Sequence, residues 1–198
     1  LGLPKMPPPA PAAMQPRTDL PPSPALSIVA RGPDSFAGRK LGILTSDGAS
    51  AKLVKALVDE VKSIGAVYEI ITPKTAGATL DDGTMVEAKQ KIDGGPSVLY
   101  DAVALVLSAE GAAMLSKDKP AKDFVSDAYA HCKFIGYTAD ALPLIQRAGV
   151  LPEDMDEGLI ELTDSSSATK FLEICAQLRL WDRELKNDLD AKGFLAAQ

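Results

Sequence analysis

A chain of 198 residues, 46% hydrophobic and 24% charged, suits one soluble α/β domain with room left for an attached unstructured segment. Its net charge of −6, with 21 Lys and Arg scattered singly among 27 Asp and Glu, excludes the basic stripe that a nucleic-acid surface requires. No apolar run approaches the roughly 20 residues needed to cross a bilayer and no basic, then apolar leader opens the chain, so a cytoplasmic protein without a membrane partner is expected.

Ten of the 15 prolines fall between Pro4 and Pro33. Each removes an amide donor and pushes its predecessor toward an extended form, and the segment has no apolar period to seat it on a core. Residues 1–37 therefore read as an extended Pro-rich strap, with a flexible tail as the alternative, and residues 38–198 as the folded domain. Leu1 stands where an initiator Met would, and the chain opens on a strap, so we expect a segment of a longer polypeptide.

Leu41, Ile43 and Leu44 make a short buried strand, followed by the turn Ser46-Asp47-Gly48. The spacing of Leu53, Leu57, Val61 and Ile64 then predicts a helix with one face on a sheet, stopped by Gly65. Val67 to Ile71 is the next strand. Strand, helix and strand within about 35 residues is the size of a parallel crossover unit. Thr79 to Val86, centred on Asp82-Gly83, has the turn chemistry of a small hairpin.

Tyr100 to Leu107 is almost wholly apolar, as a central strand covered on both faces must be. A helix over Ala121 to Ala130, a strand at Phe134 to Tyr137, a helix over Ala139 to Ala148 and a strand at Leu159 to Leu162 continue the alternation. A last helix carries Phe171, Ile174, Cys175, Leu178, Trp181 and Leu185 on one face, with Ser165 and Ser166 as candidate caps. The fold class is α/β: a three-layer α/β/α flavodoxin-like sandwich with a mainly parallel sheet.

In such a sheet, sites form beyond the carboxyl ends of the strands. The first of these loops, Ser46 to Ser50, has small residues and a helix start but no GxGxxG or P-loop pattern, so it reads as a capped turn rather than a nucleotide site. The second holds Glu110 without a second acid to divide acid and base roles, and it reads as a helix-start charge. In the third, where a nucleophile elbow would raise a Ser or Cys, the chain presents Gly136 and Tyr137. A phenol with no base beside it is a poor nucleophile.

His131 and Cys132 are adjacent, and side chains entering a strand point to opposite faces, so they should not pair. Cys132 and Cys175, with a single His and no CxxC spacing, make neither a zinc site nor an indicated disulfide; no metal site is expected.

The pieces LGILTSDGAS, YDAVALVLSAEGA and KFIGYTADALPLIQRAGV together resemble the DJ-1/PfpI superfamily, related to class I glutamine amidotransferase domains. In active members the elbow carries a Cys followed by a His, with a Glu in the first loop. The resemblance sets these positions, within one residue, on Gly136, Tyr137 and Ser50, which makes them vestigial. The paired glycines that follow the central strand in such proteins are replaced around Ser108 and Ala109.

A closer resemblance covers nearly the whole chain. GGPSVLYDAVALVLSAEGAAML, AYAHCKFIGYT and LRLWDRE look like the C-terminal domain of large-subunit haem catalases, and LGLPKMPPPAPA with SPALSIVAR looks like the connection into it. What the resemblance implies is a domain with no catalytic residues and no cofactor of its own, the haem belonging to the catalase body of the full-length protein. The implied partners are that body and the sister subunits of a homotetramer, with unfolded client proteins as a further possibility through holdase activity. The alternative is a stand-alone DJ-1-like hydrolase, glyoxalase or chaperone using Cys132.

Overall fold

The computed structural model of the protein describes residues 10–184 apart from 12, 16, 18 and 22. The chain divides into two units between Arg31 and Gly32. In the first unit the Leu26 amide donates to the Ser23 carbonyl at 3.0 Å and the Arg31 amide to the Ser27 carbonyl at 3.1 Å, so turns follow the last closely spaced prolines of the lead. The first nine residues of the strap lie outside the described residues. Phe36, read as part of the strap, is only 3% exposed and belongs to the core of the second unit.

That unit runs β1 (Lys40–Thr45), α1 (Ala51–Ser63), β2 (Val67–Thr72), the short strands β3 (Ala78–Thr79), β4 (Met85–Val86) and β5 (Gln90–Lys91), and the central β6 (Ala102–Val106). There follow α2 (Ala109–Leu115), α3 (Lys119–Ala130), β7 (Ile135–Tyr137), α4 (Leu142–Arg147), β8 (Leu159–Glu161) and α5 (Ser165–Cys175). Six strands form one parallel sheet in the order β5-β2-β1-β6-β7-β8, and β3 with β4 makes a separate antiparallel hairpin.

Period-2 alternation sorts the sheet's residues into two cores. Leu41 and Ile43 of β1, with Ala102, Ala104 and Val106 of β6, pack under α1 and α5; Leu44, Val103 and Leu105 pack under α2, α3 and α4. Gly42 allows this second face to close: a Cβ there would stand 2.5 Å from Cδ2 of the buried Tyr100 ring. The Ser50 hydroxyl caps α1 by accepting the Leu53 amide at 3.4 Å, and Gly65, at φ 70°, ends the unit while the Ala66 amide returns to the Val61 carbonyl at 2.9 Å.

Two features of the last helix differ from the sequence expectation. Asp164, not Ser165 or Ser166, is its cap: its carboxylate accepts the Ser167 amide at 2.8 Å, and the Ser167 hydroxyl accepts the Asp164 amide at 3.0 Å. A carboxylate also complements the positive end of the helix dipole. The helix then stops at Cys175 instead of running on past Trp181, because Leu178 takes a left-handed conformation at φ 72° and turns the chain away. A single helical turn, Trp181–Arg183, follows; Leu185 lies outside the described residues.

Candidate functional site

The carboxyl ends of β1, β6 and β7 meet in a web of hydroxyls. Ser46 and Ser108 bring their Oγ atoms to 3.3 Å, the Ser108 amide donates to Ser46 Oγ at 3.2 Å, and Ser108 Oγ donates to the Asp47 carbonyl at 2.7 Å. Ser108 also caps α2, accepting the Gly111 amide at 3.1 Å. Only glycine fits at 111, since a Cβ there would overlap Ser46 Oγ. From the third strand end, Thr138 Oγ1 accepts the Leu107 amide at 3.2 Å while its own amide donates to the Leu105 carbonyl at 2.9 Å.

The β1 loop is held separately. Asp47 accepts from Lys74 Nζ at 2.5 Å and from the Thr79 amide at 2.9 Å, and these two bonds hold its carboxyl below the usual aspartate range. An open cleft of about 410 Å³ lies above, lined in part by Ser50, Ser108, Thr138, Asp140 and Glu161. It offers hydroxyls and carboxylates. Neither cysteine is among its lining residues, nor is His131. A larger concavity of about 900 Å³ runs along α1, β2 and the hairpin, away from the strand ends, and it too has no thiol in its lining.

Of the positions singled out in the sequence, Ser50 is the α1 cap and lines this cleft. Glu110 sits in the first turn of α2, the helix-start charge it was read as. Gly136 is placed deeper than an elbow. It lies inside β7, paired with Ala104 and Ile160, and a Cβ on it would meet Leu162 Cδ1 at 3.0 Å and the Phe171 ring at 3.2 Å. β7 continues through Tyr137 opposite Glu161, so the strand-to-helix turn falls at Thr138 and Ala139. Tyr137 is 8% exposed, and burial raises its phenol pKa.

Cys132 stands at the other end of β7. His131 ends α3 as an exposed residue, and Cys132, at φ 57°, turns inward to 2% exposure. Its thiol lies 3.3 Å from Glu184 Oε2, and burial, then this carboxylate, push its pKa up to about 11. Cys175, the last residue of α5, is buried in the core with its pKa raised by burial. Both thiols are free. The reading missed the polar cluster at this end: Lys133, 3% exposed, donates to the Ser97 and Tyr100 carbonyls at 2.6 and 2.7 Å, and Arg183, 1% exposed, grips Asp156. The chain LRLWDRE holds the only sequence signal for it, charges set among apolar residues at its close.

Among the described residues, the imidazole, the Tyr100 and Tyr129 hydroxyls and the two thiols are not gathered as a haem site. His131 is on the surface, the Tyr100 hydroxyl donates to Glu69 at 3.0 Å, the Tyr129 hydroxyl donates to the Asp154 carbonyl at 2.8 Å, and the thiols are engaged or buried. Among the described residues no three His, Cys, Asp or Glu gather where they would hold a metal ion, and no helix among them is long and apolar enough to cross a membrane.

A parallel sheet in this order, sandwiched by helices and carrying its loops at the carboxyl edge, is the DJ-1-like, flavodoxin-type fold. Solved structures with it include DJ-1 from Schizosaccharomyces pombe, at TM-score 0.58 and 16% identity over 75% of this chain and 96% of that one. An oxidized DJ-1 from Toxoplasma gondii gives TM-score 0.60 and 16% identity over 79% of this chain and 98% of that one. More specifically, the chain belongs to the family of C-terminal domains found in long catalases, whose sequence model matches residues 37–184. It is 55% identical to Catalase C of Rhizobium meliloti over 93% of this chain, 33% identical to Catalase HPII of Mycobacterium avium over 92%, and 30% identical to Catalase-2 of Bacillus subtilis over 89%. It spans about a quarter of each relative's length, 26, 27 and 25% respectively.

Proposed function

We propose that this chain is the non-catalytic accessory domain of a cytoplasmic haem catalase, an enzyme that dismutates hydrogen peroxide in a body lying outside this chain. Its work is then structural: it packs against that body and supports assembly and stability of a homotetramer. The observation that carries this reading is the composition of the carboxyl edge, where the Ser46 and Ser108 hydroxyls bond to each other and to backbone, the Thr138 hydroxyl bonds to backbone, and no thiol or imidazole is present to attack a substrate. The family membership supports the parentage.

The reading is tested on the full-length catalase with and without residues 38–198, by sedimentation, urea titration of the tetramer, haem content and peroxide turnover. Loss of the domain is expected to leave turnover per haem intact while lowering the urea concentration at which tetramers dissociate. Unchanged assembly and stability would remove the structural role. The rival reading, a thiol hydrolase or glyoxalase, requires Cys132 at a site; its position at the opposite end of β7 and its raised pKa speak against that.

A further inference from the structure

The strands of the sheet all begin at one edge, opposite the hydroxyl-lined end, and the chain joins the sheet there. The Gly38 amide donates to the Gly65 carbonyl at 2.9 Å and the Val67 amide to the Arg39 carbonyl at 2.8 Å, so residues arriving from the lead are fixed beside the first residues of β1 and β2. The same edge has an uneven cover. Beneath the starts of β6, β7 and β8 runs the segment after α5: Arg179 donates to the Asp101 carbonyl at 2.9 Å, the Leu180 amide to the Cys132 carbonyl at 2.8 Å, and Arg183 to the Lys133 carbonyl at 2.8 Å.

Over the β2–β1–β6 half, apolar side chains are left open. Val67 at the start of β2 is 51% exposed, and Val98 and Leu99, in the turn leading into β6, are 68% and 47% exposed. Two strand spacings of about 5 Å separate the starts of β2 and β6. Arg39 enters β1 between them. Its Nη1 is buried yet has no hydrogen-bond partner among the described residues. A desolvated guanidinium donor with no acceptor is unfavourable unless a partner arrives to supply one. Exposed apolar groups beside an arginine are a composition found at interface centres, and Arg179, near enough for the two guanidiniums to repel, adds to the demand for an anion here.

Resting on the reading that this domain belongs to a catalase, we propose that the β2–β1–β6 edge is the docking face for the catalase body, which sets a carboxylate on Arg39 between Val67 and the Val98–Leu99 turn. Three observations select that occupant. The chain from the lead joins the domain at this edge, the curated relatives carry about three-quarters of their length outside the part matched here, and the orphaned donor is cationic, so its best acceptor is an anion. The hydroxyl-lined cleft then faces away from the body.

The test uses the full-length catalase. Arg39→Gln and the double change Val98→Asp/Leu99→Asp are compared with Met85→Asp, an apolar site on the hairpin, 67% exposed. Proteolytic cleavage between body and domain is expected to rise about tenfold in the two edge variants and to stay unchanged in Met85→Asp. A photo-crosslinker at position 99 should capture peptides of the body. Edge variants that behave like Met85→Asp, or crosslinks to a second copy of this domain alone, overturn the docking face. If deleting the domain still weakens the tetramer, the accessory reading survives that result, so the two failures are told apart.

Discussion

Arg183 and Asp156 form a two-pronged ion pair in the interior, Nε to Oδ2 at 2.9 Å and Nη2 to Oδ1 at 2.7 Å, with side chains 0% and 7% exposed. The guanidinium also lies 4.3 Å above the Tyr129 ring and donates to the Lys133 carbonyl, so one side chain ties the segment after α5 to α3, the turn before β7 and the loop before β8. Gly158 makes room for it, since a Cβ there would collide with Nη2. Removing one member of such a pair leaves the other desolvated, a loss of about 3–5 kcal/mol. Arg183→Ala should therefore lower the urea midpoint steeply, and Arg183→Met combined with Asp156→Leu should cost less than Arg183→Ala. A change below about 1 kcal/mol in the single variant would show that the pair does not anchor the tail.

Lys133 makes the stability of the domain depend on pH. Its ammonium is held by two carbonyls, and burial, reinforced by the nearby Arg179, lowers its pKa to about 8. The unfolded chain keeps this proton up to about 10.5, so between those values the unfolded state binds more protons and stability rises with pH. Below about 8 the penalty is present in full. Relative to Lys133→Met, the wild-type protein should gain about 2 kcal/mol between pH 7.5 and 10, read from urea unfolding at each pH. A constant difference would place the proton elsewhere.

The elements with strong apolar periods were legible. Leu53, Leu57 and Val61 lie on the buried face of α1, the strand expected over Tyr100 to Leu107 is the central β6 at Ala102–Val106, and Asp82-Gly83 turns the hairpin. What escaped depended on contacts distant in sequence. β5 is Gln90-Lys91, with no apolar signature, and exists because Ile71 and Thr72 offer it a ladder. The α5 period runs on through Leu178 and Trp181, but the chain breaks there so that Leu180 and Arg183 bond beneath the strand starts. At the site, the absence of a thiol at the strand ends was readable from residue types alone. The depth of Gly136 was not, because the end of β7 is set by its pairing with Glu161.

That depth makes a nucleophile unworkable at position 136. A Cβ on Gly136 already stands within 3.2 Å of Leu162 and Phe171, so Gly136→Cys overpacks the core at a cost of about 1–3 kcal/mol. The expected outcome is a lower melting temperature with no new esterase or methylglyoxal turnover. Turnover at that position would mean that β7 opens far enough to expose its centre.

Thr45 ends β1 with its side chain fully buried and its hydroxyl without a partner among the described residues. An unsatisfied buried hydroxyl costs about 1–3 kcal/mol, and valine has nearly its shape. Thr45→Val should raise the unfolding free energy by about 1 kcal/mol. A destabilised variant would show that this hydroxyl has an acceptor in solution.

Whether the chain has thiol chemistry turns on Cys132. A thiol reacts as its thiolate, and Cys132, with its pKa pushed to about 11 against about 8.5 for a free cysteine, has roughly a hundredfold less of it at pH 8. Its 2% exposure slows attack further. Iodoacetamide should accordingly label native protein at least about a hundredfold more slowly than the same protein in urea. Because the Glu184 carboxylate is one cause of the raised pKa, Glu184→Gln should speed native labelling without producing hydrolytic or glyoxalase activity. Rapid native labelling of Cys132, with loss of a measurable turnover, would instead identify a working thiol and return the protein to the hydrolase reading.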